Sequence, residues 1–475
     1  MKLSKWGEML KRQGIVALVL TFMFTPNVVL ADAGPSGSSV SDLAEMVKDL
    51  QKTVKNQNQK IYELENKLST VKMMPSGQAG VVAMTDEEFD AKFGQSMKKQ
   101  YAEASKWLKD LKFKGDLRLR YEGFGNHAGT GDTDRNRFRF RLRFGFEKQL
   151  DAPWDEEGNK DMTVGFYLAS GSADDPTSTN QTFDSNFTGK PISIDRAWAT
   201  YKPSWAKWGP ISGVEVTAGK FANPFEQGSS KMVWDGDVRP EGIYEQINLH
   251  LYKDGDFNID GYVLAGQFVL DESSSVPGDA NLFAFQGGLG FQFATPLAKK
   301  PAKWLSAVSY YSFDDYDTDF GTGVSTTNTN LDINGDGKLD AGDFEVVELY
   351  NELKITPDNF LPVTSFLDLA KNVGSNGENS NAWALGAYLG SDKKQGEWKV
   401  GYEYRYIEAD AVAATFNDSD LGDGFTDKKG HGFFGTYMLT DSLALGAAAY
   451  IVENISSVSQ DNQQRRLQLD LVWKF

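Results

Sequence analysis

The sequence predicts an all-β fold, a closed antiparallel transmembrane β-barrel of about sixteen strands, preceded by a short α-helical coiled-coil segment. Three observations carry this reading. The chain opens with the pattern of an export signal. Beyond residue 112 apolar and polar residues alternate with period two, and the connections between these stretches are by turns long and short.

Composition narrows the classes first. The chain has 475 residues, a formal net charge of −17, no cysteine and three histidines. That length exceeds one ordinary globular core, so it requires several domains or one large closed sheet. Lack of cysteine removes disulfides, zinc ribbons, haem attachment and thiol catalysis, and suits passage through an oxidising periplasm. The acidic balance argues against nucleic acid as a partner.

Residues 1–33 read as a signal peptide. Lys2, Lys5, Lys11 and Arg12 form a basic stretch, Ile15 to Leu30 is mostly apolar, and Ala31-Asp32-Ala33 offers small residues to a signal peptidase. A retained membrane anchor is the competing reading; the cleavage pattern and the short apolar run argue for removal. No later stretch approaches the roughly 18–20 apolar residues of a spanning helix, so any membrane crossing falls to strands.

Residues 34–111 are expected to form a coiled-coil and helical periplasmic segment. Leu43, Val47, Leu50, Val54, Ile61, Leu64, Leu68 and Val71 step alternately by four and three, with Gln57 in the remaining seam position. Self-association is the natural use of such a seam, and a lone surface helix is the alternative. Pro75 and the stretch to Ala83 end it. Thr85 and Glu88 then make a capping-box pattern ahead of Phe89, Phe93, Met97, Tyr101, Ala104 and Leu108 on one helical face.

From Lys112 to Phe475 the period is two. Phe113, Leu117, Leu119 and Tyr121 alternate with Lys114, Asp116, Arg118, Arg120 and Glu122. Phe138, Phe140, Leu142, Phe144 and Phe146 alternate with four arginines and Gly145. Trp398, Val400, Tyr402, Tyr404 and Tyr406 alternate with Lys399, Glu403 and Arg405. Leu467, Leu469, Leu471, Trp473 and Phe475 alternate with Arg466, Gln468, Asp470 and Lys474. Each approaches the ~10-residue segment of a membrane-spanning strand. A soluble sheet with one wet face gives the same alternation. The export signal, the terminal aromatic strand ending in Phe475 and the loop asymmetry decide for the bacterial outer membrane. Long loops are expected near 124–134, 171–191, 221–242, 271–281, 314–343, 371–381, 408–430 and 453–464. Backbone groups facing lipid must all be paired, so the sheet must close.

Five phrases support a family resemblance: Arg135 to Glu147 (RNRFRFRLRFGFE), Leu168 to Thr182 (LASGSADDPTSTNQT), Ile194 to Pro203, Thr217 to Phe225 (TAGKFANPF) and Val233 to Gly242 (VWDGDVRPEG). In these the chain resembles the bacterial putative outer-membrane porin family with an N-terminal helical segment. They cluster in residues 112–250. The resemblance implies a homotrimer in outer-membrane lipid, forming a water-filled channel for passive diffusion of small polar or anionic solutes and ions. A structural protein tethering the membrane to the cell wall through its helical segment is the alternative.

A barrel of this size leaves an aqueous lumen. Arg118, Arg120, Arg137, Arg139, Arg141 and Arg143 then point into it from two neighbouring strands. They either pair with Asp116, Glu122 and Glu147 on a wet wall or form the cationic side of a transverse field. The third long loop carries Glu226, Asp235, Asp237 and Glu241 with Lys231 and Arg239. In general porins this loop folds inward and narrows the pore, which would set its carboxylates against the arginines.

The fifth long loop holds Asp332, Asn334, Asp336, Lys338, Asp340 and Asp343, with Gly337 at the sixth position of a twelve-residue calcium-loop pattern. Structural Ca²⁺ is the one cofactor expected, and none is required for function; a solvated acidic loop is the alternative. His127, His250 and His431 lie in no local serine or carboxylate motif, so no enzyme is expected.

Overall fold

In a pleated strand successive side chains point to opposite faces, so a period-two segment becomes a wall with one apolar and one polar surface. The computed structural model describes residues 111–126, 134–153, 158–272, 279–314, 328, 344–374, 379–456 and 463–475. The signal peptide, the heptad seam, the second helix and the calcium loop fall outside the described residues.

Seventeen strands follow one another: β1 (Leu111–Gly125), β2 (Arg135–Leu150), β3 (Met162–Ser170), β4 (Gln181–Thr182), β5 (Ile192–Tyr201) and β6 (Ile211–Lys220). After them come β7 (Glu241–Asp254), β8 (Phe257–Asp271), β9 (Ala280–Thr295), β10 (Ala298–Asp314), β11 (Phe344–Ile355) and β12 (Val363–Asn372). The last are β13 (Asn381–Gly390), β14 (Trp398–Ile407), β15 (Lys428–Met438), β16 (Leu443–Asn454) and β17 (Gln464–Lys474). β4 is a two-residue insert that pairs with Arg139 and Phe140 on β2, above the point where β3 ends. The remaining sixteen strands make the wall. Each is antiparallel to its neighbours, and β1 closes the ring by pairing with both β2 and β17, with Leu119 opposite Phe140 on one side and Leu471 on the other. The expected strand number and closure therefore hold.

The seam is finished at the C-terminus. Gly115 N–H donates to the Phe475 carbonyl at 2.8 Å, and Phe475 N–H returns a bond to the Gly115 carbonyl at 3.0 Å. A Cβ on Gly115 would lie 2.5 Å from the Phe475 ring, so this crossing needs glycine. An even strand count puts both ends of the wall at the same rim, the one with short connections such as 255–256 and 296–297. The opposite rim has the long loops, among them 221–240 and 408–427.

The outside of the wall is apolar and exposed, with Leu119, Phe138, Val263, Phe285, Val308, Leu369, Val400, Phe433 and Leu469 among many. Soluble monomers rarely show more than a few hundred Å² of contiguous apolar surface. Aromatic rings gather near both rims: Phe291 stacks on Trp304 and Phe113 on Phe475 at the short-turn rim, while Trp383 packs on Tyr404 and Tyr406 near the other. An apolar band between two aromatic girdles is the surface a bilayer requires.

The hydrophobic core lies inside the barrel. Phe221, Phe225, Met232, Trp234 and Val238 of the third long loop pack against Phe268, Leu282, Tyr311 and Phe344 of the wall and Ala411, Val412 and Leu421 of the seventh long loop. Burying a large apolar side chain contributes about 1.5–3 kcal/mol, so these loops are held in the lumen by their own side chains.

Candidate functional site

On β1, β2 and β17 alternate side chains turn into the lumen and form an ionic belt. Arg120 clasps Asp470 with two bonds of 2.7 and 2.8 Å. Arg141 reaches Asp116 at 2.8 Å, and Arg143 reaches the other oxygen of Asp116 at 2.8 Å. Glu122, fully buried, receives Arg137, Arg466 at 2.6 Å and Gln468 at 3.0 Å. Arg139 lies 3.6 Å from Glu122 and donates to the Asn180 carbonyl at 3.1 Å. Pairing on the wall thus accounts for most of the six predicted arginines. Glu147 takes no part: it pairs with Lys114 at 3.0 Å, nearer the short-turn rim. Arg118 differs from the rest. It donates to the neutral Asn180 amide oxygen at 2.5 Å, its Nε is buried without a partner, and among the described residues no carboxylate is in ion-pair contact with it.

The third loop folds inward. Asn223 caps a short 3-10 turn over Pro224–Gly228, accepting from Phe225 N–H at 3.0 Å. Gln286 of β9 then donates to the carbonyls of Phe225 and Gly228 at 3.0 and 3.2 Å. The backbone approaches so closely at Gly228 that a Cβ would lie 2.6 Å from both Ala307 Cβ and the Tyr262 hydroxyl. Ser229 donates to Glu348 at 2.6 Å and Ser230 N–H to Asp368 at 3.1 Å, which fixes the loop to β11 and β12.

Of the loop's predicted charges, only Asp237 meets the arginine belt, 3.0 Å from Arg143 and 3.9 Å from Arg141. Burial alone would raise its carboxyl, but Arg141, Arg143 and Arg239 outweigh that and hold it at about 2. Asp235 turns the other way, accepting Ser419 N–H at 2.9 Å and the Ser419 hydroxyl at 3.1 Å. Burial and the charge of Asp418 push it up to about 7. Arg239 lies 3.4 Å from Asp195. Glu241 begins β7 and pairs with Lys220 at 2.5 Å, so its register on the wall directs it away from the belt. Glu226 stays exposed, with no ion pair among the described residues.

The seventh long loop is the partner that sequence reasoning missed. It enters the lumen beside the third: Asp235 N–H donates to the Phe416 carbonyl at 2.7 Å, and Asp418 N–H to the Lys231 carbonyl at 3.2 Å. Asp418 receives Arg405 at 2.6 Å, and Arg405 also grips Glu403 at 2.6 Å. Asp420 sits between Arg466 at 3.2 Å, Arg120 at 3.3 Å and Gln468 at 2.8 Å. Burial opposes its charge, yet those arginines hold its carboxyl well below the usual range. One signal was present: Ala411, Val412, Ala413 and Ala414 form an apolar run in a loop otherwise expected to be wet, and all four are buried.

Two cavities remain beside these loops. One of about 180 Å³ lies between the belt and the tips of the third and seventh loops, bordered by Arg118, Arg141, Arg143, Lys231, Asp237 and Asp420. The other, of about 400 Å³, lies between the second, third and seventh loops and has Trp234, Phe268 and Phe416 among its walls.

The Putative porin family matches residues 126–344 and 342–475 of this sequence. The chain belongs to that family. It is therefore an outer-membrane porin, a channel located in the bacterial outer membrane. Among solved structures it is similar to OprB of Pseudomonas putida, at 12% identity over 81% of this chain and 97% of that one, with a TM-score of 0.49. It is also similar to a multiply substituted Rhodopseudomonas blastica porin, at 12% identity over 77% of this chain and 100% of that one, with a TM-score of 0.39. No curated protein matches the sequence.

The porin's seventh loop is also locally stiff. Gly422, Asp423, Gly424, Phe425 and Asp427 all have φ between 59° and 80°, a region costly for non-glycine residues and kept only where the surroundings enforce it. The Lys428 ammonium supplies part of that enforcement by donating to the carbonyls of Gly422 and Gly424. His127 lies outside the described residues; His250 on β7 pairs with Asp260 at 2.5 Å, and His431 on β15 bonds the Tyr402 hydroxyl at 2.9 Å.

Proposed function

We propose that the porin passes small polar solutes with a weak preference for anions, through a slot between the arginine belt and the paired third and seventh loops. One observation carries the reading. The belt gathers seven guanidiniums, Arg118, Arg120, Arg137, Arg139, Arg141, Arg143 and Arg466, around six carboxylates, Asp116, Glu122, Asp237, Asp420, Asp423 and Asp470. The surplus is positive where the lumen is narrowed. The chain's net −17 opposes it elsewhere, but charge in bulk water is screened over about 8 Å at physiological salt. Single-channel reversal potentials under a salt gradient test this. Wild-type channels are expected to favour chloride, and Arg139→Ala combined with Arg141→Ala to shift toward potassium. A cation-selective wild type would overturn the reading.

The family resemblance supports a homotrimer, and the mass of the detergent complex tests it; a monomer with and without residues 40–74 would refute it. Sequence alone supports calcium in residues 332–343.

A further inference from the structure

Every cation around the 180 Å³ cavity has a carboxylate in ion-pair contact except one. Arg141 has Asp116 at 2.8 Å, Arg143 has Asp116 at 2.8 Å and Asp237 at 3.0 Å, and Lys231 has Asp418 at 3.7 Å. Among the described residues Arg118 has the neutral oxygen of Asn180 as its side-chain partner, and its Nε is buried without one. Among the described residues Asp470 and Asp420 act on Arg118 only from beyond ion-pair contact; a desolvated charge without a directly bonded counter-charge is expensive, and here the empty space lies beside the charge. We infer that this cavity is a binding subsite for one small oxyanion, a carboxylate or phosphate group, seated on Arg118.

The chemistry of the wall selects the class. A guanidinium presents parallel N–H donors in a plane, a fork that the two oxygens of a carboxylate or phosphate match bidentately. Arg141 and Arg143 lie within reach to share the charge, while Asp237 and Asp420 are already saturated by arginines and bound the site rather than fill it. The cavity, of about 180 Å³, has room for an acetate or a phosphate beside Arg118. Ser419 and Thr177, which share a bond of 3.0 Å, belong to the same lining and tie the seventh loop to the second, so the site exists only while both loops are docked. The subsite rests on the anion-passing reading above for its role, though not for its existence.

The test uses the full-length porin in detergent, titrated calorimetrically with sodium phosphate and, separately, sodium acetate in a chloride background. Saturable heat is expected for at least one anion, weakened at least tenfold in Arg118→Gln and partly restored in Arg118→Lys. Asn180→Asp supplies Arg118 with a tethered carboxylate and is expected to abolish the heat while the protein keeps its unboiled gel migration. This second variant keeps the question answerable if Arg118→Gln fails to fold. No saturable heat with either anion in the folded wild type, or wild-type binding in a folded Arg118→Gln or Asn180→Asp, would overturn the subsite. Normal heat in a channel whose reversal potential is cation-selective would overturn the anion-passing reading and leave the subsite standing.

Discussion

Asp237, carried on the third long loop, lies 3.0 Å from Arg143 on β2. The loop thereby reaches across the lumen and neutralises part of the wall it faces, bridging one point along the proposed slot with a bonded contact. Replacing Asp237 with Asn removes one carboxylate from a belt that already has a cationic surplus. The chloride-to-potassium permeability ratio should rise about twofold at 0.1 M salt and much less at 1 M, where the screening length falls to about 3 Å. Reversal potentials at both concentrations decide it; an unchanged ratio at 0.1 M would show that Asp237 does not face the conducting path.

Gly228 marks the closest approach of the third loop to the wall. In Gly228→Ala the new Cβ meets Ala307 and Tyr262, and overpacking of this kind costs about 1–3 kcal/mol. Release of the loop relieves it, so larger and noisier single-channel conductance is expected, together with new protease cleavage within 221–240. Unchanged conductance would mean that the barrel yields instead.

Arg405 holds Glu403 and Asp418 at once and is 2% exposed. Arg405→Ala leaves Glu403 buried without its cation and Asp418 with Lys231 alone, at 3.7 Å, a loss of about 3–5 kcal/mol. The temperature at which the folded gel band disappears should drop, and the seventh loop should become a protease target. A variant as heat-resistant as the wild type would assign the stability of this loop to its apolar run.

The docking of the third loop on the seventh should weaken as pH rises. Asp235 has its carboxyl raised by burial and by Asp418, with Lys231 opposing and Asp237 adding to the effect. A carboxyl raised in the folded state favours the protonated form, so its contribution is complete below the unfolded value of about 4 and is lost by the time pH passes about 7. Protease sensitivity of 408–427 should therefore increase between pH 5 and pH 8. Asp235→Asn should flatten that dependence; a profile equally steep in the variant would assign it to another group.

Calcium is expected to protect residues 332–343 from protease. Asp343 is shorter than the glutamate usual at the last position, which places the affinity near 10⁻⁴ to 10⁻³ M. Identical cleavage in calcium and in chelator, with no heat on titration, would remove the site.

Period-two alternation made the wall legible from sequence because a strand has two faces and a bilayer punishes any residue on the wrong one. The six arginines could be assigned to the lumen by parity alone, one residue at a time. Their partners were only half legible. Asp116 and Glu122 share β1 with two of the arginines, and strand pairing brings both to β2, so proximity in register exposed them. Asp420, Asp470 and Arg466 come from the other side of the closure, about 300 residues or more away in sequence from Arg120 and Glu122.

Sequence by itself determined the closed wall, its lipid face and the sites of its long loops, since each follows from a local repeat of hydropathy or a local run of turn residues. Tertiary structure alone decided that the seventh loop joins the third in the lumen and that, among the described residues, Arg118 has no carboxylate in ion-pair contact. Both depend on which loop tips meet across a closed ring. That meeting is governed by side-chain packing among Trp234, Phe416, Val412 and Tyr311, contacts between residues far apart in the chain that no periodicity records.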